Sequence, residues 1–154
     1  MELYQRYGRA LLRKAERVLG NPEDAQDVVQ ELFTDLFENA SMDVTLPYLY
    51  RSVTNRCLNK IRDHKTRSRL VDVYVAPTTP TARRSCEGRV IDVDVLAKLV
   101  DGLDTMNQEI LVYYYVDDMS QEEIAEILSS SRKTVGIRLG KIRDALNKLE
   151  EGVS

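Results

Sequence analysis

Histidine and cysteine are almost missing from this sequence. The single histidine, His64, sits in a basic run, and the two cysteines, Cys57 and Cys86, have neither metal-ligand spacing nor the pattern of a disulfide framework. Metal centres and thiol or imidazole catalysis therefore have almost no raw material. No run of about 18 apolar residues exists, which argues against a membrane-spanning helix. The first residues lack an apolar core, so no signal peptide is expected. Plain thiols and no leader are the profile of a reduced, cytoplasmic protein. Four prolines and seven glycines leave few breaks, and no fixed-period repeat is present. Carboxylates are the abundant reactive group. Asp24, Asp27 and Glu31, or Glu122 and Glu123, stand close enough along a helix to share a metal. Acidic helix faces are common, and no histidine or cysteine converges on these. No metal, no cofactor and no enzymatic activity are expected.

What is present is charge, sorted into blocks. The chain has 154 residues, 43% hydrophobic and 31% charged, which fits one domain or two small ones. Its net charge of −3 runs against nucleic-acid binding, where basic domains are the rule. That average hides an alternation. Residues 21–43 hold seven acids and no base, and residues 51–69 hold seven bases and one acid, a net of +6. Residues 99–128 hold eight acids and no base, and residues 132–148 hold six bases and one acid, a net of +5. Two basic surfaces imply two nucleic-acid contacts. The acidic ones imply a basic protein partner or simple solubility.

Hydrophobic periodicity reads as helix nearly throughout. Leu3, Tyr7, Ala10, Leu11, Ala15 and Val18 define a first helix, which Gly20-Asn21-Pro22 stops. Val28, Val29, Leu32, Phe33, Leu36 and Phe37 form the apolar stripe of a second, with both phenylalanines expected in the core. Asp24, Asp27, Gln30, Glu31 and Asp35 form its opposite face. A loop follows at 39–45, and Leu46-Pro47 opens a long third helix ending near Arg69. Residues 70–94 lack a helical period and carry Ala76-Pro77-Thr78-Thr79-Pro80-Thr81, so they read as an extended tether. Within it, the alternation at 71–75 is too brief for a convincing strand. A short helix at 95–103 leads into the last segment.

That last segment is the most specific. Ser120 precedes Gln121-Glu122-Glu123, a capping-box pattern, and Ile124, Ala125, Ile127 and Leu128 supply an apolar side. After the polar break Ser129-Ser130-Ser131, the residues Val135, Leu139, Ile142, Leu146 and Leu149 recur in steps of four, three, four and three. Arg132, Lys133, Arg138, Lys141 and Arg143 lie mostly off that stripe. A short acidic helix, a tight turn and a helix with a basic face suit a helix-turn-helix, whose second helix enters the DNA major groove. The tyrosines Tyr113, Tyr114 and Tyr115 are expected to be mostly core and hinge, not base stackers.

The layout resembles the extracytoplasmic-function (ECF) class of bacterial RNA polymerase sigma factors, over nearly the whole chain. The resemblance rests on residues 22–33 and 48–56 for sigma region 2, and on residues 121–128 and 131–139 for region 4. It implies an all-α fold of two small helical domains joined by a flexible linker, with region 2 at 1–69, the linker at 70–94 and region 4 at 95–154. It implies an alternative sigma factor that docks on core RNA polymerase, recognises promoter DNA and helps to open it. Asp24, Asp27, Gln30 and Glu31 would then bind polymerase by charge complementarity around an apolar anchor. Tyr48, Tyr50, Arg51, Asn55, Arg56, Asn59, Lys60, Arg62 and Lys65 would engage the minus-ten element and assist melting, where exposed bases are stacked or hydrogen-bonded. For both tyrosines, packing is an equal alternative. Ser131, Arg132, Lys133, Thr134, Arg138 and Lys141 would read the minus-thirty-five element. Gly136 and Gly140 fall inside the recognition helix, where relatives carry longer polar side chains. Ser129 stands where the turn usually has glycine.

The resemblance also implies an anti-sigma partner that covers the polymerase-binding surfaces. No coiled-coil heptads persist, so a monomer is expected until a partner binds. Two other readings stay open: a stand-alone helix-turn-helix regulator, and a sigma-like adaptor without promoter recognition of its own. Promoter sequence, regulon, inducing signal and the inhibitor's identity are not written in the sequence.

Overall fold

The structure, a computed structural model, describes the backbone of residues 2–39, 44–70, 91 and 93–152, with side chains except at 2, 65–70, 93 and 152. Every regular element among these residues is helical. The chain divides into two compact units, Met1–Thr81 and Ala82–Ser154. The first holds α1 (Glu2–Leu19), α2 (Pro22–Glu38) and α3 (Leu46–Leu70). The second holds α4 (Val93–Val100), α5 (Thr105–Leu111), a π-helical turn (Val112–Val116), α6 (Gln121–Leu128) and α7 (Arg132–Gly152).

In the first unit the breaks are local chemistry. Gly20 takes a positive φ of 66° that a side chain would resist. Asn21 then caps α2, its side-chain oxygen accepting from the backbone N–H groups of Glu23 and Asp24 at 2.9 and 3.3 Å. Pro22 occupies the first helical position, where its missing N–H costs nothing. Leu11, Ala15, Val18, Ala25, Val28, Leu32, Leu49, Val53, Leu58 and Ile61 are buried and make the core of a three-helix bundle. Each valine, leucine or isoleucine among them contributes roughly 1.5–3 kcal/mol by leaving water. Cys57 is a buried thiol. Two buried polar groups join them, Lys14 and Thr54, and the Thr54 hydroxyl donates to the Tyr50 carbonyl at 2.9 Å. Phe33 is buried as expected, but Phe37 is 56% exposed. Four residues beyond Phe33, it lies past the end of the bundle core.

The second unit follows the expected stripes closely. Ile124, Ala125, Leu128, Val135, Leu139, Ile142 and Leu146 are all buried. Ser120 and Glu123 form the reciprocal capping box, at 3.2 and 3.1 Å. Tyr113 and Tyr115 are fully buried, and the Tyr113 hydroxyl donates to the buried carboxylate of Glu109 at 3.1 Å. The helix expected at 95–103 starts earlier and stops earlier. It is α4, and after it Gly102 donates to the Leu99 carbonyl at 3.1 Å while Asp104 accepts from the Asn107 N–H at 2.8 Å, capping α5. A new cap cannot lie inside a continuing helix. Most of the expected tether, the possible strand at 71–75 included, and residues 40–43 of the expected loop lie outside the described residues.

Candidate nucleic-acid interface

The basic block of the first unit is split into two faces by α3. Arg56, Lys60 and His64 recur every four residues and point at α2. There they meet Asp35 and Glu31, Asp27, and Asp24 in that order. Arg56 pairs with Asp35 at 2.6 Å and Glu31 at 3.5 Å, Lys60 with Asp27 at 3.8 Å, and His64 Nε2 with Asp24 at 3.1 Å. Rising numbers on α2 meet falling numbers on α3, so the two helices run antiparallel and share an ion ladder. The second face carries Tyr48, Arg51, Asn55, Asn59 and Arg62, in steps of three, four, four and three. All five are exposed or half-buried, and Arg62 donates to Asn59 Oδ1 at 2.6 Å. None of the five takes part in the ladder to α2. Tyr50 belongs to neither face: its half-buried ring lies under the Lys14 ammonium, 4.4 Å from the ring centre. Lys65 lies in α3, and its side chain is outside the described residues.

On α2 the four expected polymerase contacts divide likewise. Asp24 is largely covered, whereas Asp27 and Glu31 keep over half of their side-chain surface while paired. Gln30 is exposed and shares a helix face with Gln26 and Phe37, at steps of four and seven. It also lines an open cleft of about 420 Å³ with Gln26, Val29, Tyr4, Gly8 and Leu12. Phe37, expected in the core, instead adds an exposed ring to this face. The signal for that was its place at the last turn of α2, beyond the reach of the core.

In the second unit the turn between α6 and α7 is built by serine. Ser129 adopts the left-handed conformation, φ 51° and ψ 44°. Its N–H donates to the Glu126 carbonyl at 3.3 Å and that of Ser130 to the Ala125 carbonyl at 2.9 Å, the bonding of a Schellman C-cap. The turn is thus as sharp as glycine would make it. Ser131 then caps α7: its hydroxyl accepts from the Thr134 N–H at 3.1 Å and lies 2.9 Å from the Thr134 hydroxyl. Both hydroxyls remain exposed.

The basic residues of α7 are not equivalent. Arg132 pairs with Glu122 at 3.2 Å, in the open. Arg138 is held by α5, donating to Asn107 Oδ1 at 3.0 Å and to Asp104 at 3.3 Å. Lys133 and Lys141 are exposed, and among the described residues no carboxylate pairs with either. Between them, one turn from each, stands Ile137, 58% exposed. No periodicity singled it out, because one apolar residue outside the stripe has no period. Gly136 lies where α6 crosses α7, and a Cβ there would meet the Gln121 side chain at 3.3 Å. At Gly140 a Cβ would meet nothing within 4 Å.

Among the described residues, no helix is long and apolar enough to cross a membrane, and no three His, Cys, Asp or Glu side chains cluster as a metal site. Comparison with known proteins matches residues 3–67 to sigma-70 region 2 and residues 94–146 to sigma-70 region 4. The chain is 34% identical over 149 residues to the ECF RNA polymerase sigma factor SigW of Bacillus subtilis, covering 86% of this chain and 78% of that one. It is 29% identical over 163 residues to the RNA polymerase sigma factor CnrH of Cupriavidus metallidurans, covering 96% and 84%. The solved structure of CnrH in complex with the cytosolic domain of CnrY superposes with a TM-score of 0.54 at 25% identity, over 99% of this chain and 88% of that one. Two helical units matched in order, and a relative this similar over most of both chains, carry one conclusion: the chain belongs to the ECF class of RNA polymerase sigma factors, alternative sigma factors that recognise promoters and initiate transcription.

Proposed function

We propose that residues 1–69 dock on core RNA polymerase and engage the minus-ten element, that residues 95–154 read the minus-thirty-five element, and that residues 70–94 tether the two. The observation that carries this division of labour is the outward face of α7. Among the described residues Lys133 and Lys141 stand there without carboxylate partners, on the second helix of a capped helix-turn-helix. In this reading Lys133, Lys141 and Arg132 contact DNA directly, and Ser131 and Thr134 present hydroxyls at the helix entrance. Arg138 contributes by holding α7 against α5. On α3, Tyr48, Arg51, Asn55, Asn59 and Arg62 take the opened strand, with Lys65 continuing along its phosphates. Arg56 and Lys60 fix α3 to α2, and Tyr50 packs on Lys14. On α2, Asp27, Gln30 and Glu31 supply the polar contacts to polymerase, Phe37 the apolar anchor, and Asp24 the end of the ladder.

The protein works without catalysis of its own, in the cytoplasm, as a monomer until it meets polymerase. CnrH was solved with the cytosolic domain of CnrY, and by analogy this chain takes an anti-sigma partner over its polymerase-binding surfaces. The test is reconstitution with core polymerase and a pool of the host's intergenic DNA, followed by sequencing of run-off transcripts. Discrete new starts preceded by a shared two-part motif are expected. Binding to core without new starts favours an adaptor, and no binding to core favours a stand-alone regulator.

A further inference from the structure

We infer that Ile137 is a specificity-determining residue of the minus-thirty-five contact, reading the methyl group of a thymine in the major groove. The inference rests on α7 being the recognition helix and goes beyond it to a single residue and a single base feature. On α7 the other aliphatic side chains of the first three turns, Val135, Leu139 and Ile142, are fully buried, and Ile137 alone is turned outward, 58% exposed. Stray apolar residues on a surface need no explanation. This one stands at the centre of the face that carries the exposed lysines, four residues from Lys133 and four from Lys141.

A neighbour makes room for it. Gly140 offers no side chain, and the space a Cβ would take there is empty to 4 Å. Gly136, by contrast, is covered by the Gln121 side chain of α6. Beside Gly140 the backbone can therefore sink further into a groove than a helix of long side chains could, with Ile137 leading. In the major groove the thymine 5-methyl is the apolar feature that marks one base from the others, and apolar side chains are its partners. Lysines on either side hold the helix by phosphate attraction, which carries no sequence information.

The test uses holoenzyme assembled from the full chain and core polymerase. A minus-thirty-five element is selected from random duplex, then each thymine is replaced in turn by deoxyuridine, which lacks only the methyl. For the unaltered protein, at least one replacement should weaken binding about fourfold, the worth of one buried methyl or methylene. For Ile137→Ala the same replacement should have almost no effect. An undiminished deoxyuridine effect in Ile137→Ala, or none at any position in the unaltered protein, overturns the inference. So does a variant that loses affinity for core polymerase while its discrimination is unchanged, which makes Ile137 a protein contact. Lys133→Ala separates this failure from failure of the underlying reading. If α7 is the recognition helix, that variant binds every duplex more weakly and with a shallower salt dependence, whatever Ile137 does.

Discussion

Ser129 carries the helix-turn-helix through left-handed backbone without being glycine. For an L-residue that conformation costs roughly 1–2 kcal/mol, and the Schellman bonds of residues 129 and 130 hold it in place. Replacing Ser129 by glycine removes the steric cost and adds some entropy to the unfolded chain. The expected result is a gain of roughly 0.5–1 kcal/mol in urea unfolding. A loss would mean that the serine hydroxyl contributes more than the backbone strain costs. Arg138 poses the opposite question, because it is a basic residue of the recognition helix whose head is already occupied. It bridges α7 to Asp104 and Asn107 across the unit. Arg138→Ala should lower stability by about 1 kcal/mol, the value of charge-assisted bonds discounted for partial exposure. The salt dependence of promoter binding should barely move. A steep change in that dependence with unaltered stability would return Arg138 to the DNA. Lysine cannot restore the clasp, since a single ammonium lacks the fork that spans both acceptors.

At the scale of elements, the α2–α3 ladder is the main feature that periodicity alone hid. The acids of α2 recur in steps of three, four and four, and the bases of α3 in steps of four and four, so each helix announced a charged face. Helical period says which residues share a face, but not what that face meets. Two opposite stripes on consecutive helices were nonetheless a signal that the faces meet each other. Exposed ion pairs contribute only about 0.2–1 kcal/mol each, so the ladder sets register more than it stabilises. Arg56→Glu should destabilise the bundle, and Glu31→Lys in the same chain should recover part of the loss. A double-mutant cycle in urea would report a coupling of roughly 0.5–1 kcal/mol. Strict additivity would mean that the pairs are incidental. The helix-turn-helix was legible almost in full, because its stripe, capping box and polar break each act over a few residues. Phe37 and Ile137 were not, since leaving the core is decided by where a bundle ends and what a surface binds. Gly140 belongs to this scale too. Gly140→Ala should raise the stability of α7 by up to about 1 kcal/mol. If minus-thirty-five affinity falls at the same time, the empty space beside Gly140 is one that DNA occupies.

For the molecule as a whole, the net charge of −3 is a poor guide to its field. The ladder cancels part of the +6 block within the first unit, because two of its cations, Arg56 and Lys60, face carboxylates. The cations of the +5 block of α7 divide in the same way. Arg132 and Arg138 have acidic partners, while Lys133 and Lys141 have none among the described residues. Cations that look equal in sequence therefore differ in how far their charge is already neutralised. Counterion release measures this difference. A cation that neutralises a duplex phosphate contributes about −0.9 to the slope of log K against log salt, and about −0.7 on a single strand. A cation already facing a carboxylate contributes less, since its charge is partly neutralised before DNA arrives and it displaces fewer counterions. Holoenzyme carrying Lys133→Ala and Lys141→Ala should thus show a slope shallower by about 1.8 in promoter binding across a potassium chloride series. Arg56→Ala with Lys60→Ala should change the slope by well under one, although the formal charge removed is the same. Equal changes from the two pairs would mean that the ladder opens when promoter DNA binds, exchanging α2 carboxylates for phosphates along α3.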